Sequence, residues 1–235
     1  MFAKLYSYII LFLIAVITII FALSVIIGIL LFGKRVFFSF SKYWSKSLLF
    51  ISNIKVQENI EVTIDKNKSY IYIPNHSSLF DIPVLLSSVK GNTLIMYKEE
   101  LERIPFFGWC LKLSPFISVK REDKENSLEG FKQALNAINT SDSVIIFPEG
   151  TRSTDGSLGE FKKGAFLLAM KSGKEIIPVA IKGTNTLMSK GNFNFSSGDV
   201  SISYLQAINT KNNPDITIKS LMSNIRDLIH NKLTK

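Results

Sequence analysis

Ile71-Tyr-Ile-Pro-Asn-His-Ser-Ser-Leu-Phe-Asp81 is the stretch on which the reading of the chain turns. Tyr70 to Ile73 is a short apolar run of β-branched and aromatic residues, so it reads as a buried strand. Pro74 and Asn75 end it, and Ser77 and Ser78 are placed to cap a short helix through Leu79. His76 then lies where a strand hands over to a helix, at the carboxyl end of the strand. Open α/β sheets place their ligands there. Asp81 follows five residues later. Residues five apart on one continuous helix point away from each other. The two side chains therefore meet only if His76 precedes the helix and its ring folds back over the first turn. A histidine beside a carboxylate is either a general base with a fixed tautomer or a core histidine near a solvated aspartate. The segment alone leaves both open.

A second segment lies downstream. Ser143 to Phe147 reads as a buried strand, and Phe147-Pro-Glu-Gly-Thr-Arg-Ser153 follows it. Gly150 lets backbone approach a ligand, Thr151 and Ser153 offer hydroxyls, and Arg152 offers a planar fork suited to phosphate. Glu149 either accepts a hydroxyl proton or orients the loop. Taken by itself the segment is also consistent with a strand–turn carrying a surface arginine. It is not a Walker loop, because the glycine spacing and terminal Gly-Lys-Ser/Thr are missing.

Together the two segments resemble the glycerolipid acyltransferase family, whose His-x4-Asp and Phe-Pro-Glu-Gly-Thr-Arg blocks occur here in the family's order. Two looser blocks agree. Lys98, Leu101, Pro105 and Gly108 fit a Lys-x2-Leu-x3-Pro-x2-Gly pattern, with Ile117-Ser-Val-Lys-Arg121 completing that block, although Lys120 stands where many members carry Asp. Ile176-Ile-Pro-Val-Ala-Ile181 resembles the fourth block, with Pro178 in place. The resemblance covers about residues 71 to 184. It implies a mixed α/β sheet flanked by helices, a His76–Asp81 base, and a phosphate and glycerol site from Lys98, Arg121, Glu149, Gly150, Thr151 and Arg152. It also implies a lysophospholipid acceptor, most commonly 1-acylglycerol 3-phosphate (lysophosphatidic acid). The acyl thioester on coenzyme A or acyl carrier protein is a co-substrate, with no resident cofactor and no metal. No Gly-x-Ser-x-Gly elbow marks a protein nucleophile, so the acceptor is expected to bring its own hydroxyl.

The rest of the 235-residue chain supports this reading. Leu5 to Gly33 carries no charge and is longer than a hydrocarbon core of roughly 30 Å requires. No convincing small-x-small cleavage site precedes Lys34, so the stretch is expected to stay as a membrane segment, either a tilted span or one bent near Gly28 or Gly33. Lys34, Arg35, Lys42 and Lys46 follow it against Lys4 before it, which places the downstream domain on the cytoplasmic side, at the inner membrane in a bacterium. Val36 to Ile54 mixes aromatics with lysines. It suits a membrane interface or an amphipathic helix on the domain, and the resemblance favours the membrane. Residues 1–55 thus read as a membrane-embedded helical segment and 56–235 as the α/β domain. There, strands are expected at Ile60–Ile64, Thr93–Met96, Ile117–Val119, Ile176–Ile181 and Val200–Ile208. Helices are expected over Ile82–Val89, from Ser127 as N-cap, over Phe161–Ser172, and along the stripe from Ile218 to Leu233. Gly183 to Gly198 reads as a surface loop.

Composition excludes some classes. Two histidines and the lone Cys110 make a zinc cage hard to build and allow no internal disulfide. The charge of +9 suits nucleic acid or an anionic membrane. The long apolar start and the lack of a basic–aromatic recognition motif argue against nucleic acid.

Overall fold

The computed structural model describes residues 2–120, 124–140, 142–191, 193–211 and 216–234. Arg121, expected in the site, lies outside them. Among the described residues seven strands form one sheet: β1 (Ile54–Ile60), β2 (Ile71–Pro74), β3 (Thr93–Lys98), β4 (Ile117–Val119), β5 (Ser143–Ile145), β6 (Ile176–Lys182) and β7 (Gly198–Tyr204). Their spatial order is β1-β7-β6-β2-β5-β3-β4. All neighbouring pairs are parallel except β6 with β7. The sheet is therefore mixed, as expected.

β2 sits centrally, with every residue buried. That is why it reads as an unbroken apolar run rather than an alternation. Its side chains still alternate between faces. Tyr72 packs with Val84, Leu85 and Leu49 on one side, and Ile71 and Ile73 pack with Phe166, Leu168 and Ile225 on the other. The helices α2 (Val36–Ile51) and α3 (Asp81–Ser88) cover the first face, and α5 (Lys124–Asn139), α6 (Gly164–Ser172) and α8 (Ile218–Thr234) the second. In α8, Leu221, Ile225 and Ile229 are fully out of water at a spacing of four, each worth roughly 1.5–3 kcal/mol of burial. Gly173 ends α6 with a left-handed φ of +62°.

Several local expectations need correction. The first strand is Ile54–Ile60, not Ile60–Ile64. Its ladder ends where Ile60 meets Tyr204, and Val62 and Ile64 pack on the core outside it. A 55/56 boundary falls inside β1, and Phe38 and Leu49 of α2 belong to the domain's core clusters. Ser127 lies within α5 and its Oγ donates to the Lys120 carbonyl. Lys98 to Trp109, whose polar sequence reads as one helix broken before Pro105, is instead a 3₁₀ helix, Glu99–Arg103, followed by α4 (Phe107–Leu113). A Cβ on Gly108 would run into the Glu102 backbone, which accounts for glycine at that place in the block. Residues 183–198 hold a short helix, α7 (Thr184–Leu187), and bury Leu187, Met188 and Phe195.

Helix α1 (Phe2–Phe32) runs unbroken through Gly28, and the chain turns at Gly33, where φ is +82°. It is long and apolar enough to cross a membrane, and only 17% of its most apolar window is buried, unlike a core helix. Its buried residues nonetheless tie both ends to the domain. Ser7 donates to the Phe195 carbonyl and accepts from the Phe195 N–H, Thr18 accepts from Trp44 Nε1, and Val25 and Ile29 cluster with Phe37 and Cys110. The helix lies along the domain rather than projecting from it.

Candidate active site

Three adjacent parallel strands, β6, β2 and β5, end at the same edge of the sheet, and each hands one functional segment to it. After β2, Asn75 turns the chain. Its side-chain amide donates to the Ile181 carbonyl and accepts from the Ile181 N–H, at 2.9 and 2.7 Å, replacing a backbone rung with a side-chain one. The backbone is thereby free to leave the sheet, and His76 is the next residue.

His76 Nδ1 lies 2.8 Å from Asp81 Oδ2. Asp81 is the first residue of α3, so the histidine does precede the helix as the spacing required. The capping runs in both directions. Ser78 Oγ accepts from the Phe80 N–H at 3.3 Å just ahead of the helix, while Asp81 Oδ2 reaches back and accepts the N–H groups of Ser77 and Ser78 at 2.7 and 2.9 Å. Its Oδ1 accepts from Thr184 Oγ1 at 2.5 Å. The carboxylate is fully buried, and four donors satisfy it, as a buried charge requires. A carboxylate only accepts, so Nδ1 carries the ring proton and Nε2 is the free base. The imidazole stacks on Phe147 with centroids 4.0 Å apart, and its side chain keeps 14% of its surface in solvent.

Glu149 is buried and bridges two backbone N–H groups: Oε1 accepts from His76 at 2.7 Å and Oε2 from Gly159 at 2.9 Å. Burial raises its pKa against the pull of those donors. Of the two roles the sequence allowed it, orienting the loop is the one this geometry fulfils. Ser153 N–H donates to the His76 carbonyl at 2.8 Å, so the two blocks are stitched together by backbone as well. Gly150 has φ +70°, and a Cβ there would meet the Lys162 side chain from 3.0 Å. Asp155 accepts from Ser153 and from Ser157 and closes the turn. The bonds from Ser157 and Ser153 hold its carboxyl down at about 2.

Beside the dyad lies an open cleft of about 530 Å³, lined by Glu149, Thr151, Arg152, Lys162 and Lys190 among others. Of the expected phosphate residues, Glu149, Thr151 and Arg152 are brought together there, with Gly150 in the same turn. Lys98 is not among the lining residues. Its ammonium pairs with Glu100 at 2.9 Å and its side chain is 48% exposed. Sequence reasoning missed Asn75, Thr184, Lys162 and Lys190. Asn75 could have been suspected as the residue ending a buried strand. Thr184 and Lys190 lie in a segment whose composition reads only as a loop.

Among the described residues, no hydroxyl or thiol hydrogen-bonds the free ring nitrogen of His76. The arrangement suits proton removal from an incoming hydroxyl, the chemistry of a group-transfer site in which an acceptor attacks directly. The comparisons with known proteins give this class a family. A family model described as acyltransferase matches residues 53–182. A 1-acyl-sn-glycerol-3-phosphate acyltransferase of Borreliella burgdorferi is 31% identical over 189 residues, 80% of this chain and 75% of its own length. A chloroplastic protein of the same description from Arabidopsis thaliana is 37% identical over 134 residues, 57% of this chain and 37% of its own length. This chain thus spans well under half the length of that plant relative. The solved structure of the 1-acyl-sn-glycerophosphate acyltransferase from Thermotoga maritima superposes with a TM-score of 0.78 at 24% identity, covering 97% of this chain and 93% of that one, which shows a shared fold. The chain belongs to the acyltransferase family.

Proposed function

We propose that the protein transfers a fatty acyl group from an acyl thioester to the free glycerol hydroxyl of 1-acylglycerol 3-phosphate, forming phosphatidic acid. The observation that carries this is the His76–Asp81 pair, with its carboxylate locked by backbone and its Nε2 free. His76 Nε2 takes the hydroxyl proton as the glycerol oxygen attacks the thioester carbonyl. Asp81 stabilises the imidazolium that forms. The tetrahedral intermediate collapses, the C–S bond breaks, and the imidazolium returns its proton to the leaving thiolate. An ester replaces a thioester, and the base is regenerated. Arg152 binds the acceptor's phosphate from the cleft beside the dyad. The relatives' descriptions support this acceptor.

The exposed apolar side chains of α1, among them Phe12, Leu30, Leu31 and Phe32, meet lipid. Because α1 is tied to the domain at both ends, it enters the bilayer together with the domain face it lies on, and the lysines and arginine after it set that domain on the cytoplasmic side. The test is to incubate purified protein in detergent with lysophosphatidic acid and a series of thioesters on coenzyme A and on acyl carrier protein. Product is then read by mass spectrometry. Phosphatidic acid that vanishes in His76→Ala supports the reading; acylation only of other acceptors, or none, overturns it.

A further inference from the structure

We propose that Lys190 is a specificity-determining residue of the acceptor site: with Arg152 it brackets a dianionic phosphate and selects phosphate monoesters over phosphodiesters. The inference rests on the acyl-transfer reading above. Lys190 follows α7 and reaches across to the turn that carries Arg152. Its Nζ lies 3.2 Å from Thr151 Oγ1 and 3.0 Å from the Arg152 carbonyl. An ammonium has three donors. Two hold the Thr151–Arg152 turn, and the third is left for a ligand in the cleft that all three residues line.

The partners of Lys190 are neutral oxygens. Among the described residues no carboxylate lies within ion-pair distance of its Nζ. Of the three acids of the same cleft, Glu160 is exposed to solvent and the other two are held by hydrogen-bond donors. Glu149 faces two backbone N–H groups, and Asp155 is held by Ser153 and Ser157. A half-buried, unneutralised ammonium beside a guanidinium is a site for an anion. Lys162, whose chain crosses Gly150, adds a second ammonium to the cleft. Three cations in one cleft favour a double charge. A phosphate monoester gains its second charge near pH 6, whereas a diester has no second proton to lose. Lys190 also lies past residue 182, where the family match ends.

The test uses the full chain in detergent, with lysophosphatidic acid and lysophosphatidylglycerol of the same acyl chain, one thioester, and a pH series across the second phosphate ionisation. Lys190→Met keeps most of the stem and removes the charge. It should raise KM for lysophosphatidic acid roughly ten- to a hundred-fold, as expected for losing a hydrogen bond to a charged group. KM for the diester should hardly move, and the fall of the monoester KM with rising pH should flatten. Lys190→Arg should restore most of the preference. Equal rises for both acceptors would mean that Lys190 only props the turn, and an unchanged monoester KM would remove it from the site; either overturns the proposal. Wild-type protein making no phosphatidic acid would instead sink the acyl-transfer reading, and the wild-type arm shows this separately.

Discussion

Asp81→Asn isolates the charge of the dyad from its geometry. Asp81 Oδ2 takes three N–H donors, from His76 Nδ1, Ser77 and Ser78, while Oδ1 takes the Thr184 hydroxyl. An amide in this place must turn its oxygen to the three N–H groups and its NH₂ to Thr184. The threonine hydroxyl can then accept from the amide and donate to Ser77 Oγ, 3.2 Å away. The three N–H groups keep their acceptor and the imidazole keeps its proton on Nδ1, while the second amide N–H and the Ser77 hydroxyl proton are left without a hydrogen-bond acceptor among the described residues. In a serine triad the same exchange costs about 10⁴ in kcat because the tautomer goes wrong. Here the loss should be the charge alone. Two unit charges about 4 Å apart at an effective dielectric near 20 attract by about 4 kcal/mol, or about 10³ in rate. Water at the partly exposed ring screens some of this, so kcat should fall about 10²- to 10³-fold. Stability should drop by about 2–4 kcal/mol, as charged hydrogen bonds become neutral ones and a buried amide N–H goes without an acceptor. Release of the thiol product gives kcat, thermal denaturation gives stability, and ¹⁵N NMR of the imidazole gives the tautomer. A variant within tenfold of wild type, or one whose ring proton has moved to Nε2, would refute the reasoning.

His76→Ala should lose at least about 10²–10⁴ in kcat while keeping its fold, and near-native turnover by a purified sample would remove the histidine from the mechanism. Arg152→Ala should raise KM for lysophosphatidic acid with little change in KM for the thioester, and Arg152→Lys should recover only part because the fork is lost; the reverse pattern in steady-state kinetics would move the phosphate elsewhere. Glu149→Gln puts an amide donor against the N–H of His76 or Gly159 and should cost about 1–3 kcal/mol in denaturant unfolding. Glu149's raised pKa means the folded state holds its proton more tightly than the unfolded one. The wild-type advantage over Glu149→Gln should therefore be widest below the ordinary carboxylate range and narrow as pH rises through the raised value; an advantage that grows across that range would contradict the assignment. Burial pushes the Cys110 thiol up to about 12, so native protein should resist thiol reagents at mildly alkaline pH until unfolded, and fast stoichiometric labelling would count against it.

What the sequence reveals and conceals follows from where each residue's partners lie. β2, β5 and β6 are buried on both faces, so their composition alone marks them, and the site blocks directly after them are legible for the same reason. β1 has solvent on one side and carries Lys55, Gln57, Glu58 and Asn59, so no apolar period announces it. The spacing of His76 and Asp81 stated the condition for their meeting, but the two serine N–H groups that lock Asp81 are backbone and leave no mark in side-chain pattern. Lys98 and Lys190 show the remaining difficulty. Both are lysines near strand ends or loops; one finds Glu100 within its own turn, and the other reaches a segment nearly forty residues away. Local spacing carries information about the first kind of partner and none about the second.

The pairing of β1 with β7 sets an order of events during synthesis. Among the described residues β1 joins the sheet only through β7, which is made nearly 140 residues later. At typical elongation rates that interval is on the order of ten seconds. During it, α1 is already available to lipid, while β1 waits as an unpaired edge beside a growing apolar core. Its run of lysine, glutamine, glutamate and asparagine makes it a poor template for another chain. The same polarity that hides β1 from sequence patterning thus guards the nascent chain until the closing strand arrives. A ribosome stalled after β6 would hold a chain with both members of its dyad and Glu149 already made and its sheet still open at one side.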